Sequence, residues 1–265
     1  FGNKSVTTIH MRHLFHEALK VMDGAFRRME TEVPPPQMRP WKDGFVLRYV
    51  EQTIEQALIL KLARVISGLR AVDILLYHGH IQEQGVLQRT LDELNEDVMF
   101  LSAALTNDHV TDLHKRYLAA FWAEEFDVPE DPISSTQKRD TPRRKKIRAY
   151  IVRVLGGGLD ASRQADIGET IGKTYSGFVH GASPHIMDMC GGDPPKFHLA
   201  GMRGTVRINE YADDAWNYFY RSLISVMAVS KAFGDKELVD ALYQYKVKFE
   251  SASGKNFDGE SRIAT

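Results

Sequence analysis

The sequence has 265 residues, of which 43% are hydrophobic and 26% are charged, an ordinary composition for a globular protein that buries a core. Its formal net charge of -1 excludes a global attraction to nucleic acid or to an anionic membrane, so any such role needs a local basic patch. The only cysteine, Cys190, excludes an internal disulfide and a cysteine-based zinc site within one chain, and a reducing cytoplasmic location is expected.

Apolar residues recur every three or four positions along most of the chain, and this spacing predicts α-helices. An N-terminal helix is expected over 9–29. Prolines within 34–40 exclude a helix in the following segment. No alternation of apolar and polar residues predicts a convincing β-strand, and the nearest approach is 205–208. The pattern therefore predicts an all-α fold.

Two long helices are predicted next. The apolar positions from Phe45 to Leu76 indicate one helix, and the segment Tyr77-His78-Gly79-His80 is expected to end it. A second helix is predicted over 86–105, running back antiparallel to the first. Together they are expected to form the long antiparallel part of a helical bundle.

Shorter elements follow along the chain. Asp108 is expected to cap a helix that carries the apolar positions between 110 and 121. The segment 127–140 has the composition of a surface loop. Thr141 and Pro142 then predict the start of a helix that reaches Leu155, since proline suits the first helical position.

The last third of the chain also has a helical pattern. Three glycines at 156–158 are expected to end one helix, and Asp160 is expected to open another that runs through His180. Asn209 predicts the cap of a helix that is apolar nearly all round and therefore central. Gly234 is expected to stop that helix, and Asp235 is expected to cap the last one.

These elements predict a single-domain, all-α, multi-helix bundle with antiparallel long helices. Residues 1–43 are expected to form the N-terminal helix and a proline-rich connector, and 44–250 the helical bundle. The polar, glycine- and serine-containing tail over 251–265 is expected to be disordered.

Several sequence motifs are set aside because their spacing is wrong. Gly172-Lys173 resembles the end of a phosphate-binding loop, but the glycine needed five residues earlier is replaced by Ile167. The histidines lack the helical spacing that places two metal ligands on one face. No apolar run approaches the roughly 20 residues of a membrane helix. We therefore expect no metal, no cofactor and no membrane partner.

Two stretches combine polar groups with apolar helix faces. Arg89 and Glu93 are four residues apart, so they lie on one side of a helix and can pair or hold a third group. Tyr175, Ser176 and His180 fall within a turn and a half of another helix. His180 is either a satisfied core histidine or an acid–base group, since the ordinary histidine pKa near 6.5 suits proton transfer at neutral pH.

These two stretches carry a family resemblance. A helix with Arg-x-x-x-Glu, here Arg89 to Glu93, followed by a later helix with Tyr-x-x-x-x-His, here Tyr175 to His180, resembles bacterial helical proteins of unknown function. Those proteins are similar to the HEPN superfamily, which includes RNases of toxin–antitoxin and antiphage systems. The resemblance covers about residues 45 to 235.

The resemblance implies a cytoplasmic, metal-independent, RNase-like protein that acts on RNA or a nucleotide as a dimer, here a homodimer through the long helices. In HEPN nucleases four to six residues separate an arginine from the histidine, and the corresponding positions in this chain hold Tyr175, Thr174 and Lys173. Arg89 is therefore expected to supply the guanidinium. The implied site comprises His180 as acid–base, Arg89 on phosphate and Glu93 orienting Arg89, with Ser176 and Tyr175 beside them.

The segment Lys138 to Arg148 is strongly basic. Arg143, Arg144, Lys145 and Lys146 are either a solvated helix start or a surface that binds the backbone of a nucleic acid. Cations at a helix N-terminus oppose the helix dipole, which favours an anionic partner there. The alternative function is a non-enzymatic scaffold or partner-binding protein in which Arg89, Glu93 and His180 form a buried structural network.

Overall fold

The computed structural model describes residues 2–155, 170 and 173–255, with side chains from residue 11 onward. Within these ranges the helices are α1 Gly2–Glu30, α2 Ile54–His78, α3 Ile81–Thr106, α4 Asp112–Trp122, α5 Arg144–Leu155, α6 173–179, α7 Ser183–Met187, α8 Arg207–Ala232 and α9 Lys236–Ser253. Short antiparallel hairpins pair β1 Gln37–Trp41 with β2 Gly44–Arg48, and β3 Cys190–Gly191 with β4 Lys196–Phe197. The predicted all-α helical bundle is confirmed.

Helix α8 is central, as its apolar sequence predicts. It packs against α1, α2, α3 and α9. The ring of Phe219 on α8 stacks on Phe15 of α1 with centroids 4.2 Å apart, and both side chains are buried. The N-terminal helix therefore shares the hydrophobic core of the bundle.

Helices α2 and α3 form the predicted antiparallel pair. Near their junction Gly68 lies against Leu91, and further from the junction Lys61 lies against Asp97. The corner between them is Gly79, which adopts a left-handed conformation (φ 80°) and caps α2. The expected end of the first long helix within 77–80 is confirmed.

The predicted start of that helix at Phe45 is wrong. Residues 44–48 form β2, and α2 begins at Ile54. Thr53 caps it by accepting a hydrogen bond from the Gln56 backbone N–H, while the Gln56 side chain accepts from the Thr53 N–H. Such a reciprocal capping box fixes a helix start more strongly than the spacing of a few apolar residues before it. The expectation that the chain has no convincing β-strand is also wrong, because β1 and β2 form an antiparallel hairpin.

Other helix ends differ from prediction by a few residues. Asp108 has φ 47° and does not cap α4; Thr111 does, with the side chain of His114. Helix α5 begins at Arg144, after Thr141 and Pro142. Helix α8 begins at Arg207, before the predicted cap Asn209.

The end of α8 and the start of α9 follow the prediction. Gly234 is left-handed (φ 77°), and the Asp235 side chain accepts a hydrogen bond from the Leu238 N–H at 3.0 Å. Helix α9 continues to Ser253, so the expected tail does not begin at 251. The predicted stop at 156–158, the helix start at Asp160 and the tail after 255 lie outside the described residues.

The imidazole of His114 is buried between α3 and α5 and uses both nitrogens. Its Nδ1 accepts the Thr111 backbone N–H at 3.1 Å, and its Nε2 lies 3.2 Å from the Phe100 carbonyl oxygen. The ring stacks on Phe100 and meets Tyr150 edge-on. Burial lowers the pKa of His114, because a charged imidazolium is poorly solvated there.

This burial makes stability pH-dependent. Because the folded-state pKa lies below the unfolded value near 6.5, the His114 contribution is complete above about pH 6.5 and is lost as pH falls through the folded-state pKa. We expect wild type to lose more stability between about pH 7 and pH 5 than His114→Gln, measured by urea unfolding. The exposed His180→Gln variant should lose as much as wild type. Equal losses for all three proteins would contradict the assignment.

Candidate functional site: the acidic segment of α3

The predicted pair on α3 forms. Arg89 Nη2 lies 2.6 Å from Glu93 Oε1, and the two side chains are 24% and 37% exposed. The other terminal nitrogen of Arg89, Nη1, is buried and has no hydrogen-bond acceptor among the described residues. The pair is therefore partly buried, and one donor of its guanidinium is unused.

Arg144 joins this pair from α5. Its Nη1 donates to the Glu93 backbone carbonyl at 3.3 Å, and its Nη2 lies 3.6 Å from the Glu93 carboxylate. The main partner of Arg144 is the carboxylate of Asp97, one turn further along α3. Arg144 was predicted either to be solvated or to bind a nucleic acid, yet its guanidinium is turned into the bundle.

Asp97 is the most buried carboxylate of this segment, with its side chain 1% exposed. Besides Arg144 it binds the ammonium of Lys61 from α2 at 2.8 Å. Lys61 itself lies over the ring of Phe121, 4.7 Å from its centroid. Two cations, one from α2 and one from α5, thus compensate the charge of this buried carboxylate.

The remaining acids of the segment are paired in the same way. Asp92 accepts a hydrogen bond from Tyr218 at 2.9 Å and another from Arg221 at 2.5 Å, both on α8. Glu96 binds Arg148 of α5 at 2.7 Å. Burial raises the pKa of Glu96, and its hydrogen bond with Arg148 opposes that rise. Four acids of α3 therefore connect it to α2, α5 and α8.

Tyr175 of α6 belongs to a neighbouring network. Its hydroxyl donates to Asp214 of α8 at 3.2 Å, and its ring meets that of Tyr218 edge-on, with centroids 6.0 Å apart. Burial raises the pKa of both Tyr175 and Asp214. Through Tyr218, this network adjoins Asp92 and the acidic segment.

His180 and Ser176 are not joined to the Arg89–Glu93 pair. The His180 side chain is exposed and makes no hydrogen bond or ion pair within the described ranges. Its only link to Ser176 is the helical bond from the His180 N–H to the Ser176 carbonyl, at 3.1 Å. The structure thus brings together Arg89 and Glu93, places Tyr175 with Asp214, and leaves His180 at the surface.

The other residues of 175–180 pack α6 against its neighbours, and two glycines make room for these contacts. A Cβ on Gly85 of α3 would lie 2.7 Å from the Phe178 ring, so Phe178 is the α6 side chain that packs closely on α3. A Cβ on Gly177 would meet the His185 ring at 2.0 Å. His185 Nε2 also lies 2.9 Å from the Thr174 carbonyl oxygen. These contacts therefore seat α6 against α3 and α7.

The basic run divides into two sets. Arg144 and Arg148 point inward and bind the acids of α3. Arg143, Lys145 and Lys146 are exposed at the start of α5. Arg143 and Lys146 form no ion pair with a carboxylate in the described part of the chain. The predicted nucleic-acid surface is thus reduced to these three exposed cations.

Sequence reasoning missed Asp92, Asp97, Arg148, Tyr218 and Arg221. A usable signal was present, since four acids within 92–97 alternate with the apolar positions Leu91, Leu94 and Val98, and any of them that is buried requires a cation. Within the described ranges, no group of three His, Cys, Asp or Glu residues is placed to hold a metal ion, and no helix is long and apolar enough to cross a membrane.

No protein-family model matches the chain, and no curated protein or solved structure matches it significantly.

Proposed function

We propose that this chain is a non-enzymatic helical scaffold or partner-binding protein, in which Arg89 and Glu93 belong to a structural ion-pair network. The observation that carries the proposal is the convergence of Lys61, Arg144 and Arg221, from three different helices, on the acids of α3. Cations held this way are committed to carboxylates. They are poorly suited to stabilising a phosphate during RNA cleavage.

The position of His180 supports the same proposal. A general acid–base must lie within hydrogen-bond reach of the reacting group, with a cation close by to stabilise the developing phosphate charge. His180 is exposed, and the Arg89 guanidinium binds Glu93 instead of sharing a site with it. The RNase-like role of His180, Arg89, Glu93, Ser176 and Tyr175 stays a prediction.

RNA binding without cleavage is the second candidate. It is favoured by the exposed cations Arg143, Lys145 and Lys146 at the N-terminus of α5, beside the Arg144–Glu93 contact. Arg89 Nη1, for which the described part of the chain supplies no acceptor, is linked to the same contact through Glu93. Phosphate groups are suitable partners for cations at a helix N-terminus.

Incubation of labelled single-stranded RNA with the protein tests both functions on one gel. We expect intact RNA with wild type and with His180→Ala, because His180 lies at the surface and the Arg89 guanidinium is bound to Glu93. The scaffold alone gives no change in RNA mobility. RNA binding at α5 instead gives a mobility shift that weakens with salt and is lost in Arg143→Ala/Lys146→Ala. Cleavage by wild type that disappears in His180→Ala would contradict the scaffold proposal.

A further inference from the structure

The hairpin of β1 and β2 lies at the surface of the helical bundle, where Arg48 of β2 binds Glu124 just after α4. None of its residues is buried, and only Trp41 and Val46 are half-buried. Met38, Phe45 and Leu47 are 71%, 70% and 62% exposed. A two-stranded hairpin alone is marginally stable in water, and three large apolar side chains at its surface indicate a partner.

The register of the hairpin shows which backbone groups are free. Pro40 has no N–H, so its pair with Phe45 cannot exchange hydrogen bonds, and the bonded pairs are Trp41–Gly44, Arg39–Val46 and Gln37–Arg48. The backbone groups of Phe45 and Leu47 therefore point away from β1. Within the described chain they make no hydrogen bond to the backbone of another element, and the Leu47 carbonyl accepts one only from the exposed side chain of Arg48, at 3.0 Å. The outer edge of β2 is open.

The two edges of the hairpin differ. On the outer edge of β1, Pro40 removes a donor, which is a common way to block strand addition. The outer edge of β2 has no proline or lysine, and its central residues are Phe45, Val46 and Leu47. An exposed apolar edge of this kind is a template for pairing with another strand.

We propose that β2 pairs antiparallel with β2 of a second copy of this chain, about a two-fold axis at Val46. Each Phe45 then faces Leu47 of the other copy, and the outward backbone groups of both residues are used in both copies. An axis at Phe45 would leave Leu47 opposite Asp43, which lies in the turn. Phe45 and Leu47 gain an apolar cross-strand contact.

The same geometry limits the assembly to two copies. A two-fold contact uses the same surface on both partners, and here it occupies the one open edge of each hairpin. The remaining outer edges belong to β1, where Pro40 blocks further addition. The result is a closed four-stranded sheet joining two helical bundles. Because two hairpins bury less surface than a standard interface, the dimer is expected to be weak and concentration-dependent. This inference does not depend on the proposed function.

Cysteine cross-linking tests the axis directly. In a Cys190→Ala background, Val46→Cys places two thiols in a non-hydrogen-bonded pair, where Cα atoms are about 4.5 Å apart and a disulfide can form. Arg39→Cys is the matched control, since Arg39 is opposite Val46 on β1 and its copies would be about 14 Å apart, three strand spacings. We expect a covalent dimer from Val46→Cys alone under mild oxidation.

A second, non-covalent measurement keeps the proposal testable without cysteines. We expect the wild-type protein to show a monomer–dimer equilibrium by sedimentation velocity, shifted to monomer in Leu47→Pro, which removes an outward donor from β2. Circular dichroism should show an unchanged helical signal. Wild type that remains monomeric at several hundred micromolar would overturn the proposal. A monomer that co-sediments with lipid vesicles would overturn it as well, because the exposed apolar residues would then bind lipid and not a second copy. Equal cross-linking of the two cysteine variants would also overturn it.

Discussion

Replacing Asp97 with asparagine is expected to lower the free energy of unfolding by about 2–4 kcal/mol, measured by urea denaturation. The change keeps the volume of the side chain but removes a carboxylate that is 1% exposed and binds both Lys61 and Arg144. Both cations then lose their closest counter-charge in a poorly solvated position. Such a loss costs more than an intact buried pair contributes, because the partners stay buried and charged.

Two further variants separate this effect from a general loss of charge. Glu17→Gln breaks an exposed pair with Lys20 at a similar distance of 2.7 Å and should leave unfolding unchanged within error. Adding Lys61→Met to Asp97→Asn should recover part of the lost stability, because it removes one uncompensated cation. If Asp97→Asn were as stable as Glu17→Gln, the acidic segment of α3 would not be the structural hub inferred above.

The helical bundle could be predicted because its signals are local. The spacing of apolar residues in α2, α3 and α8 identifies each helix, and Gly79 and Asp235 mark ends at which one residue determines the backbone. The hairpin was missed because it lacks the local signal that identifies a strand, an alternation of apolar and polar residues. Its strand Phe45-Val46-Leu47 has no buried face, so its apolar residues do not alternate with polar ones.

The site was predictable only in its local part. Arg89 and Glu93 are four residues apart on one helix, and that spacing alone predicts their ion pair. Asp97 and Arg144 are separated by 47 residues, and Asp92 and Arg221 by 129. No spacing rule connects such residues, because their contact depends on how α5 and α8 pack against α3. His180 was expected to lie beside Arg89 and does not, because that contact also depends on how separate helices pack.

The corner between α2 and α3 depends on a close contact with the segment before α8. Gly79 has no side chain. A Cβ at this position would lie 2.3 Å from the Arg203 backbone nitrogen and 2.7 Å from the Met202 backbone nitrogen. The Gly79 carbonyl also accepts the Met202 N–H at 2.7 Å. On the other side, a Cβ on Gly201 would lie 2.3 Å from the His78 carbonyl oxygen. Backbone therefore packs on backbone, which leaves no side chain free to move aside.

Gly79→Ala is expected to destabilise the protein by about 2–4 kcal/mol in urea unfolding, since it adds an overlap with backbone to the strain of a left-handed alanine. Gly234→Ala is a closely matched control. Its φ of 77° is nearly that of Gly79 at 80°, but no atom lies within 4 Å of its added Cβ. It should therefore cost only the backbone strain, about 1 kcal/mol. The difference between the two variants measures the contact itself. Equal losses would mean that the 202–203 segment moves away freely, and that the corner does not hold it in place.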